Sequence, residues 1–217
     1  LIPLMLGIVS MSIFSGKRIS LTGKYKIFPI VGTGIMTLGL ILMATLNEET
    51  SFFSLSIYAI LLGGGLGLSM QTILIALQND VEFKDMGIAT SSNTFFRSLG
   101  GAFGTAIFGT IFSNRIAYYL EENLAKLQQS NPEALEGFSP SNIEAITVNT
   151  SIISTLPVDL QEVVLGSFAQ TFRIVFLAAV PITFIGSLLS FLLKEKPLKS
   201  GADHSAARAE AHGEAVG

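Results

Sequence analysis

The sequence predicts an all-α membrane protein with about five transmembrane helices, and three observations predict it. Hydrophobic residues make up 49% of the 217 residues and charged residues only 13%, about half the share found in soluble domains, with a mean hydropathy of +0.59. Four stretches are mostly apolar over the ~20 residues needed to cross ~30 Å of hydrocarbon. Basic residues gather in alternate connections between those stretches.

The first span, at about 1–14, is short by itself. The chain opens with Leu1 inside an apolar run, without an initiator Met or a basic leader, so it reads as a fragment whose first helix has lost its beginning. Complete spans follow at about 27–46, 53–77, 88–112 and 174–193. The 88–112 span is the least hydrophobic, and its length and neighbours support it more than its own hydropathy. The 115–165 connection is too long for a plain turn. Its residues 116–130 read as a helical continuation of the preceding span, broken at Asn131-Pro132 and Ser139-Pro140. Pro157 starts an amphipathic stretch, 158–172, that feeds into the last span. Residues 200–217 read as a disordered tail.

Charge sets the orientation. Connection 15–26 carries Lys17, Arg18, Lys24 and Lys26 with no acid, and the tail opens with Lys194, Lys196 and Lys199 against Glu195. Connection 47–51 has only Glu48 and Glu49, and 115–165 has Arg115 and Lys126 against seven acids. Basic residues mark the cytoplasmic side. Connections 15–26 and 78–87 and the tail are therefore expected inside, and 47–51, 115–165 and the Leu1 end outside.

Several function classes are excluded or disfavoured. Without Cys there are no disulfides, thiolate zinc sites or Cys nucleophiles. No hydrolase, phosphate-loop or His-based motif lies in a span, so no catalytic, cofactor-binding or metal-binding residue is assigned. The glycine run 63–67 sits within an apolar helix, which is the wrong setting for a dinucleotide. The basic residues lack interleaved aromatics, which argues against nucleic acid.

The polar residues inside the spans carry the functional signal. Arg97 lies nine residues past Ile88, roughly 14 Å deep at 1.5 Å per residue. A central Arg costs about 2.5–3.5 kcal/mol on the insertion scale, so its side chain must face the bundle interior or a wet cavity. Steps of three and four residues place Thr90, Asn93, Thr94, Gly100, Gly101 and Gly104 on its face, opposite a bulky stripe of Phe96, Leu99, Phe103 and Ile107. Gly100 with Gly104, and Gly63 with Gly67, form small-xxx-small pairs suited to close helix packing. Gln71 sits deep in the 53–77 span. A simple picture has the two small-residue faces meeting around Gln71, Asn93 and Arg97. Gln71 and Asn93 suit either helix-to-helix bonding or the lining of a pathway. Asp80, Glu82 and Asp85 at the inner mouth read either as a solvated loop or as a proton-collecting inner gate.

These residues carry a family resemblance. The connection 16-GKRISLTGKYK-26 resembles the loop signature of the major facilitator superfamily, G-x-x-x-D-[RK]-x-G-[RK]-[RK]. Gly16, Gly23 and Lys24 fall on it, with Lys17, Arg18 and Lys26 supplying charge, while Ser20 replaces the family's Asp and Leu21 its basic residue. Residues 78–109 and 185–199 resemble the 14-helix drug:proton antiporter branch (EmrB/QacA type). The likeness covers about residues 1–199. It implies the C-terminal part of a major-facilitator helical bundle in the cell membrane, with the N-terminal half of the same protein missing. It further implies proton-coupled export of lipophilic or cationic drugs by alternating access, with small-molecule substrate, protons and the lipid bilayer as partners. On that model Arg97, Asn93 and Gln71 line or gate the cavity. A non-transporting membrane subunit or scaffold, its polar residues only stitching helices together, is the alternative.

Overall fold

A computed structural model describes residues 1–47, 50–132, 153 and 156–198. Glu48 and Glu49, most of the 133–155 connection and the expected tail at 200–217 lie outside the described residues. Five α-helices account for nearly all of the described chain: α1 (Ile2–Thr22), α2 (Ile27–Met43), α3 (Phe52–Asp80), α4 (Met86–Ser130) and α5 (Val158–Phe191), with a short 3₁₀ turn at Phe83–Asp85. Four of them are long and apolar enough to cross a membrane, and α2, with 17 residues, is shorter. At 1.5 Å per residue α2 is about 26 Å long, still within the range of spanning helices.

The helix ends follow from local chemistry. Pro3 in the first turn of α1 lacks an N–H that would have no partner there. The helix then runs past the expected end of the first span, so most of the expected 15–26 loop is helical. Its first helix-stopping residue is Gly23, whose φ of 70° closes the helix while its N–H bonds the Ile19 carbonyl at 2.8 Å. The true connection is therefore Gly23–Lys26. Ser51 caps α3 by accepting from the Phe53 N–H at 3.3 Å. α4 continues without interruption from the 88–112 span through 116–130 and stops at Asn131, as the sequence pattern implies. α5 likewise runs from Val158 through the last span in one piece. Pro181 lies inside it and removes the N–H that would bond the Leu177 carbonyl.

Glycines decide which faces meet. On a 3.6-residue helix, Gly63 and Gly67 share one face, and Gly65 lies about 200° round from Gly63. Gly63 and Gly67 abut the Leu4 and Ile8 carbonyls of α1. Gly65 abuts the Gly32 carbonyl of α2 on the other side. α3 is thus held between α1 and α2 at backbone contact distance, where packing rather than hydrophobic burial drives association in lipid. The Ser12 hydroxyl adds a bond to the Gly67 carbonyl at 3.2 Å.

Two apolar clusters close opposite ends. At one, Ile116 and Leu120 of α4 pack with Val164 of α5 and with Ile153 ahead of it, continued by Phe112, Leu156 and Phe168. Asn123 donates to the Ser167 hydroxyl at 2.9 Å, which in turn donates to the Tyr119 carbonyl at 3.2 Å. At the other end, Ile19, Tyr25 and Ala76 are buried against Phe28, Ile75, Leu193 and Leu198. Connection 23–26, the end of α3 and the chain after α5 therefore share one end of the bundle, the same three segments that alternation of the spans expects together once the basic 15–26 connection and tail are set on one side.

Candidate transport pathway

The polar stripe of α4 is present, and from Thr94 through Arg97 to Gly104 no other described helix covers it. Arg97 and Thr94 are exposed, while Asn93 and Thr90 are half-buried. Thr94 turns its hydroxyl back to the Thr90 carbonyl at 3.0 Å, a bond within the helix. Among the described residues no carboxylate pairs with Arg97. Methyl groups built on Gly100, Gly101 and Gly104 would meet no atom within 4 Å. Those three glycines therefore form an open strip beside the guanidinium.

The expected meeting of α3 and α4 around Gln71, Asn93 and Arg97 does not occur among the described residues. The small-residue face of α3 at Gly63 and Gly67 is taken by α1. Gln71, one turn further on, is exposed. α4 touches α3 near the turn that joins them, where the Gln78 side-chain amide donates to the Thr90 hydroxyl at 3.3 Å. Of the expected pathway residues, Thr90 is the one that a side-chain bond places against another helix among the described residues.

The other expected sites have separate settings. Gly16, Lys17 and Arg18 lie on the last turns of α1, with the Arg18 guanidinium 5.7 Å from the centre of the Phe14 ring. Gly23 caps α1, Lys24 is exposed, and Lys26 immediately precedes α2. Asp80 forms an ion pair with Lys196 from the far end of the chain. Glu82 pairs with Lys84 at 2.8 Å and, as acceptor and as a neighbouring charge, raises the Lys84 pKa above its ordinary value. Asp85 immediately precedes α4. The three acids thus lie at the end of α3 and in the turn that follows, and Asp80 is the one tied to a residue from the far end of the chain among the described ion pairs.

Sequence reasoning missed two features. One is the group formed by Tyr25, Asn79 and Lys194–Leu198, whose members are more than 100 positions apart in pairs. The other is a cleft of about 460 Å³ between α4 and α5, lined by Ile111, Asn114, Arg115, Tyr118, Ile174 and Ala178. The position of Arg115 just past the 88–112 span was the available signal for the second.

Comparison with known proteins bears on what this arrangement belongs to. No family model matches, and no solved structure matches. Curated proteins do. The chain is 36% identical over 197 residues to an "uncharacterized MFS-type transporter" of Mycobacterium tuberculosis, covering 91% of this chain and 27% of that protein. It is 28% identical over 227 residues to a "tetracycline resistance determinant" of Streptomyces rimosus, covering 93% of this chain and 65% of the relative. It is 32% identical over 139 residues to the "multidrug transporter protein MdtP" of Bacillus subtilis, covering 63% of this chain and 25% of the relative. The chain thus spans about a quarter of the mycobacterial relative and just under two-thirds of the streptomycete one.

Proposed function

This chain belongs to the major facilitator superfamily, and from that premise we propose that it is the carboxy-terminal membrane part of a multidrug exporter. The exporter is of the 14-helix drug:proton type and sits in the cell membrane. It exchanges a lipophilic or cationic compound for protons by alternating access, with the basic end of the bundle in the cytoplasm. The remaining helices of the same protein cover the open strip of α4 and complete the cavity. Gln71, Thr90, Asn93, Thr94 and Arg97 line or gate the pathway.

One observation carries this reading. Arg97 is a permanent charge about 14 Å into a spanning helix, it has no acid partner among the described residues, and its flanking glycines leave the strip open. A charge kept at that depth needs water, substrate or a partner on the far side of the cavity. The names of the relatives agree with an export role.

The test is drug or dye efflux into energised inverted vesicles containing the full-length protein. Arg97→Ala is expected to cut proton-driven transport by at least roughly tenfold, about 1.4 kcal/mol in the barrier, at equal membrane abundance. Unchanged transport by that variant removes Arg97 from the pathway. Absence of proton-coupled movement of any compound removes the exporter reading.

A further inference from the structure

We propose that residues 194–198 act as a clasp that ties α5 to the ends of α1, α2 and α3, so that these helices move as one body. This role rests on the exporter function proposed above.

The clasp is built around Tyr25. Its ring is buried, at 2% exposure, in the turn between α1 and α2. Its hydroxyl donates to the Lys194 carbonyl at 3.3 Å and accepts from the Lys196 N–H at 2.9 Å. A buried phenol needs such partners, and here backbone groups 169 and 171 positions away supply them. Asn79, buried at the end of α3, donates to the Pro197 carbonyl at 3.0 Å. Its neighbour Asp80 pairs with Lys196. Leu193 and Leu198, on either side of these contacts, pack onto Ile19, Tyr25 and Ala76.

Three features mark this as a coupling element rather than a trailing end. The segment follows the end of α5 and is not helical. Among the described residues from 194 to 198 there are no backbone-to-backbone hydrogen bonds, so its course is set by side chains of other helices. Those side chains come from the α1–α2 turn and from α3, while the segment itself is continuous with α5. Pulling α5 away from that group at this end would break both bonds of the buried Tyr25 hydroxyl and the bond from Asn79 to the Pro197 carbonyl. The exposed Asp80–Lys196 pair adds direction more than strength. For α5 to rock with α1, α2 and α3, their ends must stay together, and at this end the clasp supplies the joint.

The experiment uses the full-length protein in a background free of other cysteines. Ala76→Cys reports on the packing beneath the clasp through its rate of labelling by a polar thiol reagent. Tyr25→Phe, which keeps the ring and removes both hydroxyl bonds, is expected to speed that labelling several-fold and to slow export at equal abundance. A disulfide between Asn79→Cys and Pro197→Cys is expected to form readily, to leave export by the otherwise native protein intact, and to restore export to the Tyr25→Phe protein. Labelling unmoved by Tyr25→Phe, failure of the disulfide to form, or export stopped by the disulfide would each overturn the clasp. If the parent protein moves no compound at all, the exporter reading falls separately, and the labelling rates and disulfide yield still decide whether the clasp exists.

Discussion

Gly65 of α3 and Gly32 of α2 meet backbone to backbone, so closely that a methyl group on Gly65 would lie 2.5 Å from the Gly32 carbonyl oxygen and 2.7 Å from the Met36 nitrogen. Neither neighbour is a side chain that can swing aside. Gly65→Ala should therefore push α2 and α3 apart and cost about 1–3 kcal/mol. Thermal unfolding of the full-length protein in detergent, followed by the loss of its monodisperse peak, measures this. Gly34→Ala in α2, where a methyl group meets no atom within 4 Å, is the control and should shift stability little.

Arg97 can act as a point charge or as a planar donor, and substitutions separate the two. Arg97→Lys keeps the charge and loses the fork of donors, whereas Arg97→Gln keeps donors and loses the charge. Efflux falling roughly tenfold or more in Gln and much less in Lys, about 1.4 kcal/mol apart, is the outcome expected for a charge facing the cavity. Equal losses in both would assign the role to guanidinium geometry.

The packing of α4 on α5 beyond the 88–112 span has its own core. Leu120 there is completely buried, while Tyr118 is more than half exposed. Leu120→Ala should cost about 2–5 kcal/mol and Tyr118→Ala far less. Limited proteolysis from the side bearing 113–130 should cut the Leu120→Ala protein fastest.

The pH response of the ion pairs has a definite sign. As hydrogen-bond acceptor and as a charge, Asp80 raises the Lys196 pKa above its ordinary value of 10.5. On the lysine's side the pair's contribution is thus present below that value and is lost as pH rises through the still higher folded value. Lys126 lowers the Glu122 pKa below its ordinary value of 4.5, so on the carboxylate's side that pair is present above it and is lost as pH falls through the folded value. Spin labels on Lys24→Cys and Lys194→Cys should therefore report an unchanged separation between about pH 6 and 9. A shift within that window would assign the closure of that end to some other titrating group.

Much of the architecture was legible because it is written locally. Apolar length marked the helices, Asn131 and Pro157 marked where α4 stops and α5 starts, and lysines marked the end where the connections gather. The 15–26 stretch misled because basic residues read as loop, although nothing before Gly23 prevents a helix from carrying Lys17 and Arg18. The pairing of faces was not legible. The Gly63–Gly67 spacing announces a close neighbour but holds no information on which helix it is, and α1 fits there instead of α4. Tyr25 and Asn79 gave no signal at all, because their partners are backbone atoms more than a hundred residues away, and any residue type offers those atoms. The Arg97 face was legible as a polar stripe, since its pattern of three and four is a property of one helix alone.

The 45-residue length of α4 has a mechanical consequence. At 1.5 Å per residue it is a rod about 68 Å long, roughly twice the hydrocarbon thickness, with no proline along it. Pivoted at Met86, a tilt of about 10° would sweep its far tip through about 12 Å. A small motion at one membrane face thereby becomes a large displacement well clear of the other, a lever arm whose gear ratio is set by nothing more than an uninterrupted run of helical residues.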